Sequence, residues 1–364
     1  MLCLAMEKES QVLMLGSLPH LSGDALRRDV SLLSRVEARQ AASLSARLAD
    51  QETPEASAFF HTLLSLELSA ALAQRMPDCP LRRSLDFFLP EYLDEVYRMA
   101  NLLYLYGMES PQTLACCCAE IMPGRPLAAC HRHPADCVSA FSSSPDPWQE
   151  MALYLATAAE KEKNAFLLFA SQSAAHPLSR ELFTELYMLS HQRMTRYLSL
   201  QSPRHPLRHL LSCQLAEAFA YQSCASLPEC RSMQDRLLEE AAQESAHLQK
   251  LKDHVAKETG AENPLPPLPP VLRMGPSKGY VRDTLQSIGV TARRNDFVPV
   301  GTLKGGADFF RYQKRICPPG DTLPSQRVIQ AVIEKFGVDY RFEIAPHPVE
   351  ILRLRTCDHS DLGR

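Results

Sequence analysis

The sequence has little of what marks several classes of protein. It has only 14 glycines in 364 residues, which argues against a turn-rich all-β fold. No run reaches the roughly 18 apolar residues of a membrane-spanning helix, so we expect no membrane span. The net charge of −3 gives no reason to expect nucleic acid or an anionic membrane as a partner. Long runs rich in Leu, Ala, Glu and Gln instead predict a mainly helical protein.

The sequence has 12 cysteines, and its first ten residues become acidic too soon for a signal peptide. This combination predicts reduced thiols in a cytoplasmic protein. Seven of the potential soft-metal ligands lie in one irregular stretch: Cys116, Cys117, Cys118, Cys130, His131, His133 and Cys137. No Cys-x₂₋₄-Cys knuckle is present there, so an exposed reduced loop is favoured over a zinc site.

Apolar periodicity and proline positions predict helices over 25–49, 55–75, 81–106, 147–171, 177–200, 206–224, 232–258 and 325–336, and a strand over 340–344. Proline opens three of the four helices between 147 and 258, and Pro90 lies inside the helix 81–106. We expect an N-terminal helical region (1–107), a Cys/His/Pro-rich connection (108–147), a four-helix bundle (148–258), a Pro-rich linker (259–271) and a small C-terminal α/β region (272–364).

Three times a glutamate on an apolar helix face is followed, roughly thirty residues later, by a position of the form Glu-x-x-His. Only the last copy is complete. The three copies are Glu217 with Glu244 and His247, Glu67 with Glu95 and Arg98, and Glu160 with Ser190 and Arg193.

These glutamates are predicted to face the interior. Glu244 shares a helical stripe with Leu237, Ala241 and Leu248, and Glu217 lies in register with Leu210. A buried carboxylate is costly unless it meets a cation or a metal. Four helices that carry such residues are one way in which a bundle builds a two-metal site.

Residues 148–257 resemble the ferritin-like superfamily, in particular the rubrerythrin-type di-iron bundles. The resemblance rests on Glu160, on Glu217 followed by Tyr221, and on the segment that contains Glu244 and His247. It implies an antiparallel four-helix bundle whose iron or manganese ions react with oxygen or peroxide. Carried over by position, Glu160, Glu217, Glu244 and His247 would be metal ligands, and Tyr221 would be a neighbouring partner or radical site.

The remaining ligand positions depart from this pattern. Ser190 and Arg193 occupy the other Glu-x-x-His, and His191 could substitute only if its helix rotated by about 100°. Residues 55–106 look like a more degenerate copy, in which Glu67 and Glu95 are weaker candidate ligands. A rubredoxin-like pair of Cys-x-x-Cys knuckles is also missing, which weakens the case for a self-contained electron-transfer enzyme.

Two functions stay open. The first is metal-dependent redox chemistry at a di-metal site, or at a single-metal site formed by Glu217, Glu244 and His247. The second is a metal-free, non-catalytic scaffold in which Arg193 and Arg98 replace the metal charge, because a guanidinium is permanently charged and forks onto carboxylates. Such a scaffold would bind a protein partner through the proline linker and the C-terminal region, or form a homodimer. The sequence names no substrate and no redox partner.

Overall fold

The described part of the chain is mainly α-helical and contains no strand. The computed structural model describes residues 8, 28, 31–41, 53–108, 148–201, 206–226, 231, 233–259, 265–266, 268–269, 271–273, 275–287 and 323–337. The predicted mainly α fold is therefore confirmed. The predicted strand 340–344, the Cys/His stretch 116–137 and much of the proline linker lie outside the described residues.

Nine helices lie in the described part of the chain, and eight of them have defined bounds. The helical residues 31–41 belong to α1. The other helices are α2 (Pro54–Ala73), α3 (Pro80–Leu105), α4 (Gln149–Gln172), α5 (Pro177–Ser199), α6 (Pro206–Ala225), α7 (Gln234–Thr259), α8 (Lys278–Ser287) and α9 (Pro324–Phe336). The bounds of α2 to α7 and of α9 agree with the sequence prediction to within a few residues. The sequence analysis did not predict α8.

Local chemistry fixes where the helices begin and end. The Thr53 side chain accepts a hydrogen bond from the Ala56 N–H at 3.2 Å, and Pro54 opens α2, where its missing N–H costs nothing. The helix α3 continues through Pro90. It is followed by Gly107 at φ 63°, a left-handed conformation that glycine adopts without a Cβ clash.

The chain forms two compact units, and both are discontinuous in sequence. The first unit comprises Met1–Glu52, Pro134–Leu168 and Ser190–Arg273. The second comprises Thr53–His133, Phe169–Leu189 and Met274–Arg364. Residues of α4 and residues of α5 belong to both units. The division of the chain into consecutive regions, made from the sequence, stays a prediction.

In the first unit, α6 packs along α7. Leu210 and Leu211 of α6 and Leu248 and Leu251 of α7 form a buried apolar cluster that Leu33 of α1 joins. Burial of this apolar surface is the main stabilising term for the unit. The cluster holds α1 against the two longer helices, which brings the polar residues of α1 toward those of α6 and α7.

In the second unit, α2 packs along α3, and α8 and α9 also contact α3. By length and composition Pro54–Ala73 meets the test for a membrane-crossing helix, although the sequence analysis expected no such segment. In the structure 72% of the most apolar 18-residue stretch of this helix is buried, as in the core helix of a soluble protein. The helix is therefore weak evidence for a membrane span. The helix also buries the polar side chains of Glu55, His61 and Glu67.

Candidate functional site

A buried lysine lies among three buried glutamates in the first unit. The Lys8 ammonium is 2.6 Å from Glu244 Oε1 and 3.7 Å from Glu217 Oε2. It also donates to Glu37 Oε2 of α1. All four side chains are fully buried. An ammonium group therefore stands where the sequence analysis placed a metal ion.

The two predicted ligands Glu217 and Glu244 have further partners on α4, α6 and α7. Lys161 of α4 donates to Glu217 Oε1 at 2.5 Å. The Gln214 side chain donates to Glu244 Oε2, and His247 Nδ1 lies 3.4 Å from that same oxygen. The predicted proximity of Glu244 to His247 follows from their spacing of three residues on one helix face.

Burial and charge act in opposite directions in this group, which we call the Lys8 cluster (Lys8, Glu37, Lys161, Glu217 and Glu244). Burial alone would lower the pKa of Lys8, but the charges of the three glutamates outweigh it and raise that pKa. Burial likewise favours the neutral form of Glu244, but hydrogen bonds with His247 and Lys8 lower its pKa. For Glu37, burial prevails over the charge of Lys8 and raises the pKa to about 8.

The predicted inward-facing arginine forms a separate buried group. Arg193 is fully buried, and its Nη1 is 3.0 Å from Glu162 Oε1. The Ser190 hydroxyl donates to the same oxygen at 2.5 Å. The prediction that Arg193 points inward is therefore met, but its partner is Glu162 and not Glu160 or Glu217.

The reason is the register of α4. Two residues along a helix correspond to about 200° of rotation, so Glu160 and Glu162 point to nearly opposite sides. Glu160 lies 3.3 Å from His209 Nε2, and the side chains of this pair keep 22% and 26% of their exposure. Burial would raise the pKa of Glu160, but the hydrogen bond and charge of His209 and the charges of Lys163 and His191 lower it. In the structure Glu160 therefore pairs with His209 of α6.

His191 lies near Glu160 without joining the cluster. It is half-buried, and burial together with the charge of Lys163 lowers its pKa, while Glu160 acts in the opposite direction. His209 behaves differently. Burial alone would lower its pKa, but its contacts with Cys213 and Glu160 raise it to about 10.

In the second unit, the degenerate copy does not gather its residues around one point. Glu67 Oε1 accepts the Ser277 N–H at 2.9 Å, at the start of α8. Arg98 donates to Asp94 at 2.5 Å and to the Ser325 carbonyl, and Glu95 is fully buried. The inward orientation of Arg98 agrees with the sequence prediction, whereas its partners come from its own helix and from the start of α9.

Within the described part of the chain, one group of three side chains has the residue types and the spacing of a metal site, and two of its members belong to the Lys8 cluster. Ligand atoms of Glu37, Glu244 and His247 lie within 4.8 Å of one another. A cleft of about 410 Å³ opens beside His247. Its lining combines the apolar Leu32, Leu33, Val36 and Leu251 with His247, Lys250 and His254.

Sequence reasoning missed Lys8, Glu37, Lys161 and Glu162. A signal did exist for Glu37, because Leu33, Glu37 and Ala41 recur at intervals of four and all three are buried. No comparable pattern surrounds Lys8, whose contacts with Glu37 and Glu244 span 29 and 236 residues. Local periodicity could not predict these contacts, because they join residues that are far apart in the sequence.

Comparison with known proteins adds no assignment to this geometry: no family model, curated protein or solved structure matches the chain.

Proposed function

We propose that this chain has a ferritin-like helical bundle whose interior carboxylates are neutralised by its own cations, and that it acts as a non-catalytic scaffold or interaction protein. The observation that carries the proposal is the Lys8 ammonium, which contacts Glu37, Glu217 and Glu244 inside the first unit. A cation in that position excludes a metal ion from the same point, by volume and by charge repulsion.

The predicted six-ligand site does not fit the residues present. Of the four closest matches, Glu160 pairs with His209, and Glu217 is held by Lys161 and Lys8. Arg193 stands at a histidine position and binds Glu162. A guanidinium keeps its charge at every physiological pH, so it cannot become a ligand. Arg98 in the second unit follows the same logic, since it binds Asp94.

Buried ion pairs of this kind hold helices in one arrangement, although they contribute less stability than an apolar core of equal volume. Breaking one partner away is costly, because the other charge stays buried without compensation. The cluster therefore supports a structural role for residues that would otherwise be read as catalytic.

The test is aerobic oxidation of added ferrous iron, together with peroxide consumption, by the purified full-length chain. The proposal predicts rates equal to those of buffer and equal to those of a Glu244→Ala/His247→Ala variant. Turnover by the natural sequence that disappears in this double variant would overturn the proposal in favour of metal-dependent redox chemistry. A surface variant outside the cleft beside His247, Lys257→Met, controls for nonspecific iron binding.

A further inference from the structure

Three side chains of the first unit form an incomplete ligand set, and two of them, Glu37 and Glu244, contact the Lys8 ammonium. Glu37 comes from α1, and Glu244 and His247 come from α7; their ligand atoms lie within 4.8 Å of one another. His247 Nδ1 and Glu244 Oε2 are 3.4 Å apart. Ligands of one zinc ion are bonded at about 2.0–2.2 Å and lie roughly 3–3.5 Å from one another, so small movements would complete the geometry.

A second, independent observation is that two buried oxygen atoms at the same place lack a hydrogen-bond partner. The Tyr221 hydroxyl and Glu37 Oε1 are buried, and neither has a hydrogen-bond partner within the described residues. The Lys8 ammonium lies 5.0 Å from the centroid of the Tyr221 ring, so Tyr221 borders the Lys8 cluster. After burial itself, the carboxyl groups of Glu217, Glu240, Glu244 and Glu37 raise the pKa of Tyr221. Buried polar atoms without a partner are uncommon, and such atoms often belong to a ligand or ion site.

The charges point the same way. Three buried carboxylates, Glu37, Glu217 and Glu244, face two ammonium groups, those of Lys8 and Lys161. Burial favours the neutral form of the Glu37 carboxyl group, so the two ammonium groups balance the charges of Glu217 and Glu244. A divalent cation in place of the Lys8 ammonium would also compensate an ionised Glu37, which a single positive charge cannot do.

An ion could also reach this point from outside. His247 keeps 23% of its side-chain exposure and lines the cleft of about 410 Å³ between α1 and α7. Glu37 and Glu244 are fully buried, and their ligand atoms lie within 4.8 Å of that of His247. The imidazole therefore forms the outer edge of the ligand set, as an entry path requires.

We propose that Lys8 is a tethered counter-ion in a latent divalent-metal site, and that Glu37, Glu244 and His247 bind one first-row divalent cation when the ammonium is removed or displaced. Two carboxylates and one imidazole, with a position left open, form a ligand set that zinc and its neighbours accept. This inference rests on the charge network of the proposed function.

The experiment titrates Co²⁺, as a spectroscopic probe, and Zn²⁺ into full-length Lys8→Met protein. We expect binding of a single ion, at least about 100-fold tighter than in the natural sequence, because the ion no longer competes with an ammonium group held by buried carboxylates. Cobalt absorption in the visible range would report a site of low coordination number. Adding Glu37→Gln or His247→Gln to Lys8→Met should abolish that binding.

Two controls separate this effect from a general change in charge. Lys8→Arg keeps the positive charge and should bind no more metal than the natural sequence. Lys257→Met removes an exposed lysine of α7 that lies outside the lining of the cleft, and it should have no effect on binding. Absence of tight binding in Lys8→Met, or binding that survives both ligand substitutions, would overturn the inference.

Should Lys8→Met protein not fold, as judged by its helical circular dichroism, the natural sequence serves instead at rising Co²⁺ concentration. Weak uptake that Glu37→Gln and His247→Gln both remove would then support the site, and uptake indifferent to both would contradict it. The proposed function is tested separately by iron oxidation in the natural sequence. If the natural sequence does not oxidise iron and Lys8→Met does not bind metal, only the latent site is refuted.

Discussion

Lys8 and Glu244 form a fully buried ion pair, with 2.6 Å between Nζ and Oε1, across a separation of 236 residues. The pair connects the beginning of the chain to α7 of the first unit. It also occupies the place where the Glu-x-x-His pattern by itself indicates a metal. The proposed function depends on this ammonium group, which stands in the place predicted for a metal ion.

Removing the Lys8 charge should destabilise the protein strongly. In Lys8→Met, three buried glutamates lose a shared cation, and we expect the free energy of unfolding to fall by roughly 3–5 kcal/mol. Urea denaturation followed by circular dichroism measures this change. The same substitution at the exposed Lys250 should stay within about 0.5 kcal/mol of the natural sequence. A loss below 1 kcal/mol for Lys8→Met would show that the contact is not formed in solution.

The Arg193 and Glu162 pair allows a double-mutant test. Arg193→Met alone should cost about 3 kcal/mol or more of unfolding free energy, since Glu162 is left buried beside Ser190 without its cation. Adding Glu162→Met removes the second charge and should recover a large part of that loss. Arg180→Met, at an exposed arginine, is the matched control. Additive effects of the two substitutions would contradict the pair.

The sequence was sufficient for the helices and for the inward direction of several charges, because both depend on local periodicity. Glu217, Glu244 and Arg193 lie on apolar stripes and are buried as expected. Partner choice was less accessible. Whether Arg193 meets Glu160 or Glu162 depends on the rotation of α4, and two residues change that direction by about 200°.

Lys8 was out of reach for a different reason. A lone lysine near the chain start is ordinarily a solvated residue, and its burial becomes apparent only when α1, α6 and α7 have assembled around it. The proposed ligand Glu37 was accessible in principle, since Leu33 and Ala41 lie on the same side of α1. Its significance appears only beside Glu244.

Stability should decrease in alkaline solution through His209. Its pKa is raised to about 10 from an ordinary 6.5, so the folded protein keeps a proton that the unfolded chain releases. The resulting stabilisation is complete below about pH 6.5 and is lost as pH rises through about 10. Because the His209 and Glu160 side chains keep 26% and 22% exposure, we expect a contribution on the order of 1 kcal/mol.

The measurement compares unfolding free energies at several pH values between 6 and 10 for the natural sequence and His209→Gln. The difference between the two should shrink steadily toward pH 10. Glu37 also has a raised pKa, so it too makes the protein less stable as pH rises. The contribution of His209 is therefore read from the difference in unfolding free energy between the natural sequence and His209→Gln. A pH-independent difference would contradict the raised pKa that the contacts with Cys213 and Glu160 give His209.

Glu67 is predicted to stabilise α8 and not to bind metal. Its carboxylate accepts the Ser277 N–H, one of the amide groups at a helix start that have no partner within the helix. Glu67→Leu should therefore increase amide hydrogen exchange in Lys278–Ser287 by about fivefold, the equivalent of a lost cap of about 1 kcal/mol. Glu67→Gln keeps an acceptor oxygen and should exchange much more slowly than Glu67→Leu. Unchanged exchange in both variants would contradict this role.

The central claim is tested most directly by the metal content of the natural full-length protein, purified without chelator and measured by elemental mass spectrometry beside Glu244→Ala/His247→Ala. If the Lys8 ammonium fills the place of a metal, neither protein should carry iron, manganese or zinc in stoichiometric amount. Near two equivalents of iron or manganese in the natural protein, lost in the double variant, would contradict the account and restore a working di-metal centre.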